Sequence, residues 1–345
     1  MQARNCCRAR ATPLAPARDP RAARDVVAVT ERRGRDPPIK PKHRRHFRGL
    51  RALDTSVYDA VGLPLDLHAA ENRYRTHRSP AASLAAAVRP YSRDIVGLHL
   101  AALIFGAWLV TLPMMFVQPE RVMPTLFGDS RLGVVASTIV LMAARTWITT
   151  GLFVTVHDAI HGQVSPSFRR LNHALGAVCS FCYASFSYKL LYRDHWRHHA
   201  EPITEGDPDW YEGGLRKWLL SFLGHYSTFW QLFWESFQFW SFVGIGQRVL
   251  RIDFSVMVVR VALVWALPAL ISGLQLFYFG TYLPHKDNPE SEHSARSNDW
   301  PYLLSLLSCF HFGACHEEHH AYPMLAWWEL PEVRAARARA RASKL

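Results

Sequence analysis

No internal repeat runs through the 345 residues, and the N-terminal segment lacks the short apolar core that marks a secretory signal. Cysteine is scarce: Cys6, Cys7, Cys179, Cys182, Cys309 and Cys315 are all there are. In a chain this long they build no disulfide framework, which fits a reducing, cytoplasm-facing site. Cys179 and Cys182 form one CxxC inside an apolar run, where small residues on a membrane helix explain it more cheaply than a redox or zinc site. Acidic residues are outnumbered, with 28 Asp and Glu against 40 Lys and Arg. The surplus is local. Residues 1–50 hold twelve Arg and two Lys against three Asp and one Glu. Such a composition buries no core, so residues 1–85 are expected to form a basic, disordered extension. Nucleic-acid binding would be confined to this tail, where no folded basic motif accompanies it, and no nucleic-acid partner is expected. The tail is Arg-rich like an organelle transit peptide, yet Ser-poor and not free of acid. An upstream start site accounts for it equally well.

The mean hydropathy of -0.05 resembles that of a soluble protein, but it averages two unlike parts. Residues 95–117 contain one His and no formal charge, enough to cross about 30 Å of hydrocarbon at 1.5 Å per residue. Residues 132–156 form a second run interrupted by Arg145, which should face the protein interior or an interface, or else snorkel. Residues 171–192 end in tyrosines and Lys189 and read as an interfacial or re-entrant helix. The aromatic-dense stretch 217–246 is the third expected span, and 254–283, with Arg260 and Pro268, the fourth. Residues 301–313 are apolar but too short to cross.

The expected fold is therefore an all-α integral membrane protein of about four transmembrane helices plus interfacial helices. Its folded domain would cover 86–334, followed by a basic C-terminal tail at 335–345. Both termini are strongly positive, and an even number of spans puts them on one side, the cytoplasmic one by the positive-inside rule.

Eighteen histidines are present, and they are not scattered. His157 and His161 form an HxxxH. His195, His198 and His199 form an HxxHH, and His316, His319 and His320 a second. His285 closes the fourth span and His311 precedes the last box. On a helix, residues three and four apart share a face, so each box aims two or three imidazoles at one locus. Imidazole suits iron, copper, nickel and zinc. Eight to ten such donors exceed what one four-coordinate ion takes, and two transition-metal ions sharing the set are the economical reading. In the four-span topology every cluster falls at the cytoplasmic surface.

His316, Glu317 and His320 also satisfy the HExxH of zinc proteases, but that reading leaves two boxes unused. Asp158, Asp194, Asp207 and Glu317 are placed to accept from the outer imidazole N–H groups and fix the rings. Glu318 and Asp209 are further candidates, with simple solvated charge as the competing reading.

These residues carry a resemblance. FVTVHDAIHG (153–162), RRLNHALGA (169–177), FSYKLLYRDHWRHHAEP (186–202), DPDWY (207–211), ALPALISGLQLFYFGTYLPH (266–285) and CFHFGACHEEHHAYP with WWELPEVR (309–334) resemble membrane fatty-acid-desaturase-type proteins. The likeness is closer to the β-carotene ketolases, and LQLFYFGTYLPH and HFGACHEEHH are more specific than the bare His spacings. It implies a cytoplasmic di-iron site held by His157, His161, His195, His198, His199, His285, His316, His319 and His320, with His311 a further ligand or supporting residue. It also implies O2 as co-substrate, electrons from a ferredoxin-like donor, and a carotenoid drawn from the membrane lipid and oxidised at ring carbon 4. The membrane would be the inner or plasma membrane, or a plastid membrane if the extension is a transit peptide, with the site facing the cytoplasm or stroma.

Two oxygen insertions at one carbon give a geminal diol, which loses water to a ketone. Phe186, Tyr188, Trp196, Phe312 and the aromatic segment 218–242 are candidates to line the substrate's tunnel. Cys315 departs from the pattern, since an aromatic is commoner before the last box. The rivals are a fatty-acyl desaturase or hydroxylase within the same fold, and a non-catalytic membrane metal-binding protein outside it.

Overall fold

The computed structural model describes residues 90–117, 130–287, 289–291 and 293–342. The basic extension at 1–85 and most of the expected outer loop near 118–131 lie outside the described residues. The described residues contain helices and connecting turns, and no strand among them. In chain order the helices are α1 (Pro90–Thr111), α2 (Arg131–Ile160), α3 (Arg169–Ala184), α4 (Tyr188–Ala200), α5 (Leu215–Tyr226), α6 (Phe229–Arg248), α7 (Phe254–His285), α8 (Tyr302–Cys309), α9 (His316–Ala321) and α10 (Leu330–Ala342).

Among the described residues, three helices are long and apolar enough to cross a membrane: Ser92–Met115, Arg131–Ile160 and Phe254–His285. The pair α3 and α4 bends by 102° between them and would make a fourth if it counted as one span. The expected third span, 217–246, is two helices. The chain breaks at Ser227 and Thr228, and the Thr228 hydroxyl accepts from Gln231 N at 3.2 Å to start α6. Helix α6 mixes its aromatics with Gln231, Glu235 and Gln238, which is why it falls below the apolarity of the aliphatic spans. Helix α10 runs through the expected boundary at 334/335 as far as Ala342.

Helix α2 is the central element. Its last turns are buried almost all round, with Leu152, Val154, Val156 and Ala159 at 0% exposure. Arg145, midway along it, is 1% exposed and points inward, where Nη1 donates to Trp108 O at 2.7 Å and Thr111 Oγ1 at 2.6 Å. A charge at membrane depth is tolerated only when its donors are satisfied, and here they tie α1 to α2.

Helix α3 returns alongside α2, and Gly176 allows it to come close. A Cβ there would lie 2.5 Å from the Tyr188 ring and 2.7 Å from Ala159 Cβ. Asn172 then closes the end of α2. Its amide donates to Ala159 O at 2.7 Å, and its carbonyl accepts from Val164 N and Ser165 N at 3.1 and 3.2 Å. Helix ends leave free carbonyls, and Trp196 Nε1 satisfies another, Ile160 O, at 3.3 Å. These contacts set the angle at which α4 meets the His157 end of α2.

Helix α7 carries two π-helical stretches, Ala262–Ala266 and Phe277–Tyr282. Each wider turn shifts the phase of the residues after it, a device common near functional sites. The second stretch sets the direction of His285, the last residue of α7.

Candidate metal centre

Four helices bring the histidine boxes to one place. His157 and His161 close α2, His195, His198 and His199 lie on α4, His285 ends α7, and His316, His319 and His320 lie on α9. Helix α9 reaches the site through a tight turn at Phe310 and His311, both with positive φ (46° and 71°).

The nine rings sort into two groups. Ring nitrogens of His157, His161, His195, His199 and His319 lie within 4.8 Å of one another, as do those of His198, His285, His316 and His320. In the first group the Nε2 atoms form a chain: His157 to His319 at 3.1 Å, His319 to His199 at 2.9 Å, His199 to His195 at 3.2 Å and His195 to His161 at 2.8 Å. In the second, His285 meets His316 at 2.9 Å, His316 meets His320 at 3.0 Å and His320 meets His198 at 3.2 Å.

These spacings fit two metal ions. Imidazole nitrogens sit about 2.1 Å from a first-row ion, and two donors at right angles around it are then about 3.0 Å apart. The outward nitrogens agree. His198 Nδ1 bonds the Asp207 carboxylate at 2.9 and 3.1 Å, and His285 Nδ1 donates to Ser294 O at 2.8 Å. A proton held on Nδ1 leaves Nε2 as a bare lone pair aimed at the group's centre. Burial, followed by the neighbouring rings, holds His316, His319 and His320 well below the ordinary imidazole range, so these three stay neutral and able to ligate.

The acidic residues divide. Burial pushes Asp207 up, but the facing His198 ring and the N–H groups of Asp209 and Ile203 outweigh it and leave the carboxyl below its usual range. Asp158 approaches His157 Nδ1 only to 3.6 Å, too far for a hydrogen bond, and instead accepts from Trp327 N at 3.3 Å. Asp194 touches no ring of either group. It pairs with Arg193 at 2.7 Å and with His225, outside both groups, at 2.8 Å. Glu317 likewise pairs with Arg337 at 3.0 Å instead of a ring.

Glu318 and Asp209 are not solvated charges, being only 4% and 8% exposed. Glu318 is enclosed by Ser297, Arg334 and Arg337, which pins α10 against α9. Asp209 accepts from Tyr226 Oη at 2.6 Å, and burial raises its carboxyl to about 6. His311 belongs to neither group. Its Nδ1 meets Ser305 Oγ at 2.8 Å, and burial lowers it to about 4.

A cavity of about 770 Å³ opens beside the rings. His157, His195, His198 and His316 form its polar end, and Phe153, Phe239, Trp265, Leu270 and Leu274 are typical of the rest of its wall. Of the expected tunnel residues, Phe186 and Phe312 line it. Tyr188 and Trp196 do not. Tyr188 turns its hydroxyl to His173 at 2.9 Å, and Trp196 is buried between α2 and α4 by its bond to Ile160 O. From 218–242, Phe222, Tyr226, Glu235 and Phe239 reach the cavity. Phe312 lies edge-on to His157 with ring centres 4.3 Å apart, where the apolar wall meets the imidazoles. Sequence reasoning named Asp209 among the acidic candidates and Tyr226 only within the segment 218–242, and it missed that the two pair. The DPDWY run was the available signal, but the tyrosine that completes it lies 17 residues downstream.

Apolar helices of membrane-spanning length thus carry two buried histidine clusters, each able to hold a metal ion, beside an apolar cavity. A fatty acid desaturase family model matches residues 130–344. A β-carotene ketolase of Paracoccus sp. (strain PC1) is 35% identical over 251 residues, covering 71% of this chain and 95% of that protein. A β-carotene ketolase of Haematococcus lacustris is 34% identical over 274 residues, 72% and 82% of the two chains. A zeaxanthin 4-ketolase of Chlamydomonas reinhardtii is 32% identical over 273 residues, 76% and 55%. No solved structure matches the chain. The chain belongs to the fatty acid desaturase family and, within it, to the β-carotene ketolases.

Proposed function

We propose that this chain is a membrane oxidoreductase that converts the C4 methylene of a β-ionone ring to a ketone, taking β-carotene through echinenone to canthaxanthin and zeaxanthin towards astaxanthin. One observation carries the reading: nine imidazoles in two groups, with 2.8–3.2 Å between neighbouring Nε2 atoms, lie beside an apolar cavity of about 770 Å³ that His157, His195, His198 and His316 line. We assign His157, His161, His195, His199 and His319 to one iron and His198, His285, His316 and His320 to the other.

Bound there, the iron pair would supply O2 activation, which an unreactive allylic C–H requires and side-chain acid–base chemistry cannot provide. The chain's own part is holding and excluding. Asp207 and Ser294 O fix the tautomers of His198 and His285. Phe312 and His157 shape the end of the cavity where the ionone ring would rest. The aromatic and aliphatic wall receives the polyene and keeps water away from the rings. Electrons would come from a ferredoxin-like donor. We read four spans, counting α6 between the α3–α4 bend and α7. The boxes and the Arg-rich C-terminus would then share the cytoplasmic or stromal side of a bacterial inner or plastid membrane.

Pigment analysis by liquid chromatography and mass spectrometry of bacteria making β-carotene tests this. Cells expressing the chain should accumulate echinenone or canthaxanthin, and a His198→Ala control should not. Unchanged β-carotene despite inserted, iron-loaded protein would sink the assignment and turn attention to fatty acyl chains.

A further inference from the structure

Between the cavity and the four-histidine group runs a chain of buried polar contacts that ends on Tyr226. Tyr226 Oη donates to Asp209 Oδ1 at 2.6 Å, Asp209 N donates to Asp207 Oδ1 at 2.8 Å, and Asp207 accepts from His198 Nδ1 at 2.9 Å. Trp218 Nε1 holds the Asp209 backbone through its carbonyl at 2.7 Å, so the Asp209 main chain is pinned while its side chain depends on Tyr226. All four residues of the chain, Tyr226, Asp209, Asp207 and His198, are at least nine-tenths buried. Tyr226 and Asp209 both line the cavity.

Without a donor on Asp209, two carboxyls lie beside one imidazole. A carboxylate oxygen of Asp207, one of Asp209 and a ring nitrogen of His198 fall within 4.8 Å of one another. Asp209 could then compete with Asp207 for His198 Nδ1 or turn its oxygen into the pocket. The Tyr226 hydroxyl occupies Asp209 and leaves His198 to Asp207 alone. No such chain runs to the five-histidine group among the described residues. Nδ1 of His161 and of His319, like Nδ1 of His316 in the four-histidine group, has no hydrogen-bond partner there.

We infer that Tyr226 is a positioning residue for the ion held by His198, His285, His316 and His320, acting through Asp209 and Asp207, and that it has no such role for the ion of the five-histidine group. This rests on the reading of the two groups as iron sites. Partners that orient a ligating imidazole typically change metal affinity by about 10–100-fold when removed. Acting two links away, Tyr226 should fall near the lower end.

Iron release to a ferrous chelator from the purified full chain in detergent, followed per chain, is the experiment. The native protein should release two irons in two phases. Tyr226→Phe should speed one phase about tenfold, leave the other unchanged, and shift the Mössbauer doublet of one iron only. Asp209→Ala deletes the competing carboxyl and keeps the backbone N–H on Asp207, so it should stay near the native rate and should restore that rate when combined with Tyr226→Phe. Asp209→Asn keeps an acceptor for Tyr226 and should stay near the native rate. Tyr183→Phe removes another cavity hydroxyl, one that meets Ser272, and should alter neither phase. Equal acceleration of both phases, as a loosened fold would give, or no change in either, overturns the inference. Native protein that holds no iron overturns the metal reading as well.

Discussion

Arg145 Nε donates to Val264 O at 3.2 Å, and that carbonyl is the one Pro268, four residues on, has no N–H to satisfy. A proline inside a helix leaves such an acceptor free, and here a side chain from a neighbouring helix takes it. The same guanidinium binds Trp108 O and Thr111 Oγ1, so one buried residue joins α1, α2 and α7. Arg145→Leu removes all three bonds at once. Charged hydrogen bonds contribute about 1.5–3 kcal/mol each, and partial relaxation should leave a net loss near 3 kcal/mol. The thermal midpoint in detergent should fall by several degrees, and an unchanged midpoint would show that the arginine holds nothing together.

Asp207 is the only carboxylate among the described residues that hydrogen-bonds a ring of either group. Asp207→Asn keeps the shape but weakens the acceptor facing His198 Nδ1. Iron affinity at one of the two sites should drop about 10–100-fold, and ketone formation with it. Equal retention of both irons in a chelator competition would deny the carboxylate this role.

His311 separates the ligand reading from mere proximity in sequence. It lies five residues before His316, yet it faces Ser305 and Trp327. His311→Asn tolerates the left-handed backbone at this position. The variant should keep about two irons per chain while losing on the order of 1–3 kcal/mol of stability. Elemental analysis finding only one iron would move His311 into the ligand set.

Gly273 lies on the cavity wall, and a Cβ there meets only Tyr183 Oη, at 3.7 Å. Gly273→Phe should fit by filling the cavity. Carotenoid ketolation should then fall at least tenfold, roughly the effect of losing 1.4 kcal/mol of substrate binding, with iron content unchanged. Full activity would mean that the substrate takes another path.

The three His boxes, His285 at the end of an apolar run and the helical class were legible because spacing on a helix fixes which residues share a face. So were Phe186 and Phe312 as cavity residues. The fate of each acidic residue was not. Asp194 directly precedes the second box and Asp207 lies nine residues beyond His198, yet the nearer one serves Arg193 and His225 and the farther one His198. The break at Ser227 and Thr228 was also hidden, because an unbroken aromatic run does not announce where a cap will interrupt it.

Composition and periodicity by themselves determined that this chain has membrane-length helices and three bundles of imidazoles, since hydropathy and the 3.6-residue repeat are local properties. Only the tertiary structure decided how nine rings divide into five and four. That division depends on the 102° bend between α3 and α4, the π-helical turn before His285 and the left-handed turn at Phe310 and His311. Each reorients a whole box relative to the others, and the angle between two helices is set by what packs between them rather than by either sequence alone.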